Sequence, residues 1–422
     1  MRFAYNIITY LLSPVYALYW LSRGLTNRDY WSRLGQRFGF GYPPVHGECI
    51  WIHAVSVGEV QAAAPLVKAL MKRFPDRQLL ITTVTPTGAA RAYRLFADNV
   101  AHSYLPFETP FAVNRFFKAV NPQLALIMET EIWPNLYHAC GKRKTPLVLV
   151  SARISPKSVE RYRKLLPLFR ETLSYGIVIA AQSRLDATRF KMLGAAEERT
   201  FVTGNIKFDI EIDEGISEQG DELRAQMFPG RPVWIAASTH DKEEDLVLSA
   251  HRLVMREFAN ALLILVPRHP ERFSAVAQML EKHKFSYVRR TSGELCSDTT
   301  QVLLGDTMGE VPLFYAASDV AFVGGTLVPI GGHNLLEPAA LGKPVVTGPH
   351  CFNAPEIADM FVQVGASNMV EDERGLAHTV LELFADSPKA VQQGGEGLAL
   401  LNKNRGALQR LLDLIEPYLS AS

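Results

Sequence analysis

The chain has 422 residues, 48% hydrophobic and 21% charged, an ordinary globular composition without disorder bias. That is more chain than one core usually organises, so two domains of about 200 residues each are expected. A net charge of +1 excludes an unfocused basic surface for nucleic acid, leaving anion binding to local clusters.

Residues 3–21 carry no charge and are rich in Ile, Leu, Tyr and Trp, although Asn6, Thr9, Ser13 and Pro14 interrupt the apolar run. Arg23, Arg28, Arg33 and Arg37 follow, interleaved with Tyr30, Trp31 and Phe38, in the pattern of a positive-inside flank and an aromatic interfacial belt. Residues 1–22 are therefore expected to form a membrane anchor with the main body cytoplasmic; the competing reading is a buried N-terminal helix. No small-residue pattern marks a cleaved signal peptide. Cys49, Cys140, Cys296 and Cys351 lie far apart without CxxC or zinc-ligand spacing, which fits buried thiols in a reducing compartment.

From about residue 49, short apolar runs alternate with amphipathic stretches, as in parallel sheets covered by helices on both faces. Strands are expected at 49–55, 79–84, 124–128, 147–150, 177–180 and 201–203. Residues 208–231 are acidic and weakly periodic and end before Pro232, which marks a linker. The pattern restarts with strands at 233–237, 262–266, 302–304, 320–323 and 345–347. The organisation reads as a first domain over 23–207, a second over 232–397, and a terminal helix over 398–422 packing across the domains. The fold class is α/β, two Rossmann-like doubly wound domains facing a central cleft into which the carboxyl ends of both sheets open.

Chemistry is expected at those strand ends. In HAVSVGE, residues 53–59, Glu59 stands at a strand-to-helix corner, where it is either the acid of a Ser56-x-x-Glu59 capping box or a general base for an acceptor hydroxyl. Glu129 and Glu131 follow the strand at 124–128; Glu129 is the functional candidate, and Glu131 fits a helix cap. Lys207 closes the first domain and is either a solvated cation or a charge for a phosphate or sugar carboxylate. In the second domain Arg268 is placed to grip a phosphate, and His269 to organise its loop. Residues 305–310 (GDTMGE) join a strand to a helix. The run Gly324-Gly325-Thr326, then 331–338 (GGHNLLEP), offers close backbone approach, helix-start N–H groups and Glu337 for ribose hydroxyls. No P-loop, early Rossmann fingerprint, D-x-D or H-E-x-x-H occurs, so ATPase, dehydrogenase and obligatory-metal readings are weak.

These stretches, with TPTG at 85–88, METEIWPN at 128–135, TGNIKFD at 203–209, STH at 238–240 and LVPRHPERF at 265–273, resemble in order and over nearly the whole chain the 3-deoxy-D-manno-oct-2-ulosonic acid (Kdo) transferases. The resemblance implies a GT-B glycosyltransferase moving Kdo from CMP-Kdo to the lipid A precursor (lipid IVA), with inversion and no cofactor, at the cytoplasmic face of a bacterial inner membrane whose lipids the anchor would meet. It implies Glu59 as proton acceptor, assisted by Glu129 and Lys207. It places CMP against Pro267, Arg268, Met308, Gly309, Glu310, Asn334, Leu335, Leu336 and Glu337. Two other readings are a GT-B enzyme using a UDP-sugar, separable by competition with cytidine monophosphate against uridine diphosphate, and an inactive lipid- or nucleotide-binding protein, separable by product formation.

Overall fold

A computed structural model describes residues 1–45 and 47–420. The chain divides into two compact units: Met1–Asp209 with the C-terminal stretch from Asn404, and Ile210–Lys403.

Unit 1 is built on seven parallel strands: β1 (Cys49–His53), β2 (Gln78–Thr83), β3 (Ala101–Tyr104), β4 (Leu124–Met128), β5 (Leu147–Ala152), β6 (Val178–Ala181) and β7 (Thr200–Val202). Their order is β3-β2-β1-β4-β5-β6-β7, so the winding reverses between β1 and β4. Side-chain alternation sends Ile50 and Ile52 to one face and Cys49 and Trp51 to the other, giving a separate core on each side of the sheet. The last helix, Ala407–Ser420, buries Ala407, Leu411, Leu412, Ile415 and Leu419 in the first of these cores. Asp209 holds it there, accepting the Gly406 and Leu408 N–H groups at 2.5 Å each.

Unit 2 repeats the plan with β8 (Val233–Thr239), β9 (Leu262–Pro267), β10 (Tyr287–Arg289), β11 (Val302–Leu304), β12 (Val320–Val323), β13 (Val345–Thr347) and β14 (Ser367–Met369). The order β10-β11-β9-β8-β12-β13-β14 reverses between β8 and β12. In an open parallel sheet the two loops leaving such a reversal diverge to opposite faces and open a crevice at the carboxyl ends of the strands.

The N-terminal helix forms, over Arg2–Thr26, but the expected membrane anchor is overturned, and with it the inner-membrane placement that rested on it. Among the described residues no helix is long and apolar enough to cross a membrane. Asn6, Thr9, Ser13 and five Tyr or Trp side chains (Tyr5, Tyr10, Tyr16, Tyr19, Trp20) dilute the apolar run. Much of the arginine-aromatic signal is consumed inside unit 1. The Arg37 guanidinium lies 3.7 Å from the Trp20 ring centroid and donates to the Val84 carbonyl at 2.6 Å. Arg23 donates to the Tyr30 hydroxyl at 2.8 Å, and Tyr16 stacks on Phe107.

Candidate active site

In unit 1 the reversal between β1 and β4 brings two glutamates together. β1 ends at His53, and Ser56 caps the helix Val57–Arg73, so Glu59 falls in its first turn beside the crevice. The Ser56 hydroxyl accepts the Glu59 N–H at 3.4 Å, and Glu59 Oε2 accepts the Val55 N–H at 2.8 Å. Glu59 Oε1 has no hydrogen-bond partner among the described residues. Burial raises the Glu59 carboxyl to about 8, against the Val55 N–H; the nearby charges of Glu131 and Glu129 push it further up and that of Lys207 pulls it down.

Glu129 follows β4 directly and has a left-handed φ of 55°, an uncommon conformation for a residue with a side chain. Its backbone N–H still pairs with the Val150 carbonyl at 2.9 Å, so the unusual φ turns the side chain without breaking the ladder. Lys207 Nζ and Arg153 Nε each donate to its carboxylate at 2.9 Å. Burial alone would raise Glu129, but Lys207 and Arg153 together outweigh it and hold the carboxyl below its ordinary value. Lys207 is fixed by the short helix Ile206–Phe208, which Asn205 caps through the Lys207 N–H at 3.0 Å. Glu131 accepts the Trp133 indole N–H at 2.8 Å, and burial raises its carboxyl. Glu59, Glu129 and Lys207 thus form one electrostatic cluster, and Arg153 is a member that sequence reasoning missed. Its only signal was the same one that marked Glu129, a position just past the carboxyl end of a strand.

In unit 2 Pro267 ends β9 and Arg268 follows, with its N–H on the Thr239 carbonyl at 2.9 Å. Burial raises the Glu337 carboxyl, against a hydrogen bond from Asn334 at 3.1 Å and the charge of Arg268. Asn334 Oδ1 also accepts the Leu336 N–H at 3.1 Å, which starts the short helix Leu336–Ala340. Arg268, Asn334 and Glu337 therefore lie together, whereas Leu335 and Leu336 turn their side chains into the core and offer a ligand only backbone. Across the β11 end, Met308 is exposed and Gly309 has a φ of 88°. Glu310 is bound by Arg290 at 2.8 and 3.1 Å and by the Thr307 hydroxyl, and Arg290 keeps its carboxyl low.

One further residue organises this end of unit 2. Glu243 is fully buried and accepts four backbone N–H groups: His240 at 3.2 Å, Gly325 at 2.7 Å, and Thr326 and Leu327 at 3.0 Å each. The N–H groups just after Gly324 are thus spent on an internal carboxylate. No group of three or more His, Cys, Asp or Glu side chains suited to a metal ion occurs among the described residues.

Residues 32–210 match the family described as 3-deoxy-D-manno-octulosonic-acid transferase (kdotransferase). The chain is 43% identical over 423 residues to the 3-deoxy-D-manno-octulosonic acid transferase of Haemophilus influenzae, covering 99% of both chains. It is 35% identical over 435 residues to the enzyme of the same name from Bordetella pertussis, again over 99% of each. Among solved structures it is similar to a UDP-GlcNAc 2-epimerase from Neisseria meningitidis bound to UDP-GlcNAc, with a TM-score of 0.54, 13% identity, and coverage of 87% of this chain and 100% of that one; this likeness concerns the fold alone.

Proposed function

This chain belongs to the 3-deoxy-D-manno-octulosonic acid (Kdo) transferase family, and we propose that Glu59 is the base of its reaction while unit 2 holds the donor. The enzyme is a glycosyltransferase that moves Kdo from CMP-Kdo to a lipid A-type acceptor. Lipid IVA is the acceptor we assign within that class.

The acceptor hydroxyl oxygen bonds to the anomeric carbon of Kdo and passes its proton to Glu59. The bond from that carbon to the CMP phosphate breaks with its electron pair on the phosphate, in one inverting displacement without a covalent sugar-enzyme intermediate. The observation that carries this reading is Glu59 itself. One carboxylate oxygen is held by the Val55 N–H, the other has no hydrogen-bond partner among the described residues, and burial with two neighbouring glutamates gives the group a proton affinity well above that of an ordinary carboxylate. Glu129 stays ionised because Lys207 and Arg153 hold it, so its negative charge acts steadily on Glu59. Lys207 assists through that pairing.

Glu59→Gln preserves size and the Val55 contact but removes basicity. Turnover should fall by roughly 10²- to 10⁴-fold with CMP affinity unchanged, and near-normal turnover would remove Glu59 from this role. On the donor side, Pro267, Arg268, Met308, Gly309, Glu310, Asn334, Glu337 and the backbone of Leu335 and Leu336 hold CMP. Glu337→Ala should weaken CMP in isothermal titration while leaving acceptor binding intact, and cytidine monophosphate should compete with the donor where uridine diphosphate does not.

A further inference from the structure

The crevice between β8 and β12 of unit 2 contains side chains that the donor reading leaves unused. His240 follows β8, and His333 lies in the loop after β12; they meet Nε2 to Nε2 at 2.8 Å, with ring planes 2° apart. His269, just past β9, stands edge-on to His240 with 5.5 Å between ring centroids. This placement is built into the backbone. Glu243 ties the His240 N–H to those of Gly325, Thr326 and Leu327, so one carboxylate holds the β8 and β12 loops together. Gly324 lets them approach: a Cβ there would lie 2.6 Å from the Ser238 carbonyl oxygen.

We propose that His240 and His333 act as one proton-sharing pair that receives an anionic group of the donor, a phosphate or a carboxylate, beside Arg268. This deepens the donor reading above and rests on it. Two ring nitrogens at 2.8 Å must have one proton between them, one ring donating and the other accepting. In a neutral pair the donating ring then has a bare Nδ1, and the accepting ring carries its one proton on Nδ1. The pair therefore presents one N–H and one lone pair. One proton taken from solvent changes this, because the imidazolium keeps the shared N–H and gains another on Nδ1. The pair then presents two N–H donors and a full positive charge, and it returns the proton when the anion leaves.

Without a ligand the surroundings oppose that uptake. Burial first, then the charges of His269, Arg268 and Arg272, lower His240 to about 4; burial, then His240, Arg268 and His269, lower His333 to about 3. The acidic groups nearby do not offset this. Glu244 and Asp241 are each paired with Arg272 at 3.0 Å, Glu243 is spent on backbone N–H groups, and Glu337 answers to Arg268 and Asn334. Arg268 itself makes no ion pair among the described residues. An anion set against Arg268 and the pair replaces repulsion with attraction and draws the proton in.

Isothermal titration of the full-length protein in buffers of differing ionisation enthalpy reads this uptake. The probes are CMP, which carries the phosphate alone, and CMP-Kdo without acceptor, which adds the carboxylate. His240→Gln and His333→Gln should each abolish the uptake and weaken binding by roughly 10- to 100-fold, with the double variant no weaker than either single one. Losses already present with CMP assign the phosphate; losses confined to CMP-Kdo assign the carboxylate. The phosphate's own titration is common to wild type and variants, so the difference belongs to the pair. Unchanged uptake, or losses that add in the double variant, would overturn the proposal. If a variant fails to fold, imidazole ¹⁵N resonances of the wild type that stay neutral on addition of both probes overturn it equally. A wild-type protein that binds neither probe removes the donor reading, and this proposal with it.

Discussion

As the proposed base, Glu59 carries opposite consequences for activity and stability. Proton abstraction needs the ionised carboxylate, and the group ionises at about 8, so kcat/KM should fall about tenfold per pH unit below that value. Glu129→Gln removes one of the charges that hold Glu59 up and leaves Lys207, which pulls it down; the acid limb of the profile should therefore move to lower pH, and an unmoved limb would uncouple the two residues. The unfolded chain releases the same proton near the ordinary 4.5, so between about 4.5 and about 8 the folded protein holds a proton that the unfolded one does not. Stability then falls as pH rises through that window. Glu59→Gln removes the penalty, and above pH 8 its melting temperature should equal or exceed that of the wild type while activity is lost. At this scale residue type and spacing marked Glu59, yet a capping box and a base look alike in sequence because both put the same carboxylate in the same turn. The structure shows the cap contacts with Ser56 and Val55 and, beside them, the charges of Glu129, Glu131 and Lys207, which lie far from residues 53–59 in sequence. Arg153 was missed for a related reason: its place past a strand end was legible, but its partner Glu129 is met only across the β4-β5 step.

The fully buried strands were the most readable, although the exposed edge strand β7 was also read, at 201–203. The strands at 124–128, 302–304, 320–323 and 345–347 coincide with β4, β11, β12 and β13, whose residues are all buried. β3, β10 and β14 had no counterpart in the sequence reading, and all three are sheet edges. An edge strand has a neighbour on one side only, so Ala-His-Ser-Tyr, Tyr-Val-Arg and Ser-Asn-Met serve there without an apolar run. Buried acids that join elements were equally hidden. Glu243→Ala would strand four backbone N–H groups of two loops, at a cost of about 1–3 kcal/mol for each that water cannot reach, so thermal unfolding should show a large loss of stability together with weakened CMP binding. Asp209→Ala should release the start of the helix Ala407–Ser420, costing about 1–2 kcal/mol, and hydrogen exchange there should rise while that of the unit 2 strands stays unchanged.

For the molecule as a whole, the donor reading predicts where a ligand stabilises. CMP at 100 times its dissociation constant should add about 2.7 kcal/mol to the unit that binds it. Exchange protection should then appear within Ile210–Lys403 and not in β1 to β7; protection confined to unit 1 would contradict the assignment. Hydrophobic periodicity alone determined two parallel α/β sheets, because residues buried on both faces must be apolar wherever they occur. Strand ends emptying into charged residues marked the candidate site residues for the same local reason. Tertiary structure decided what depends on partners distant in sequence. It joined the stretch from Asn404 to the first unit, paired Lys207 and Arg153 with Glu129, and brought His240 against His333. It also reversed the reading of the N-terminus. An arginine near tryptophan reads as a membrane flank when only neighbours along the chain are known, but in the folded chain Trp20, Tyr104 and the Val84 carbonyl close around the same guanidinium. A sequence records which groups need a partner, and folding decides whether the partner is solvent, lipid or the chain itself.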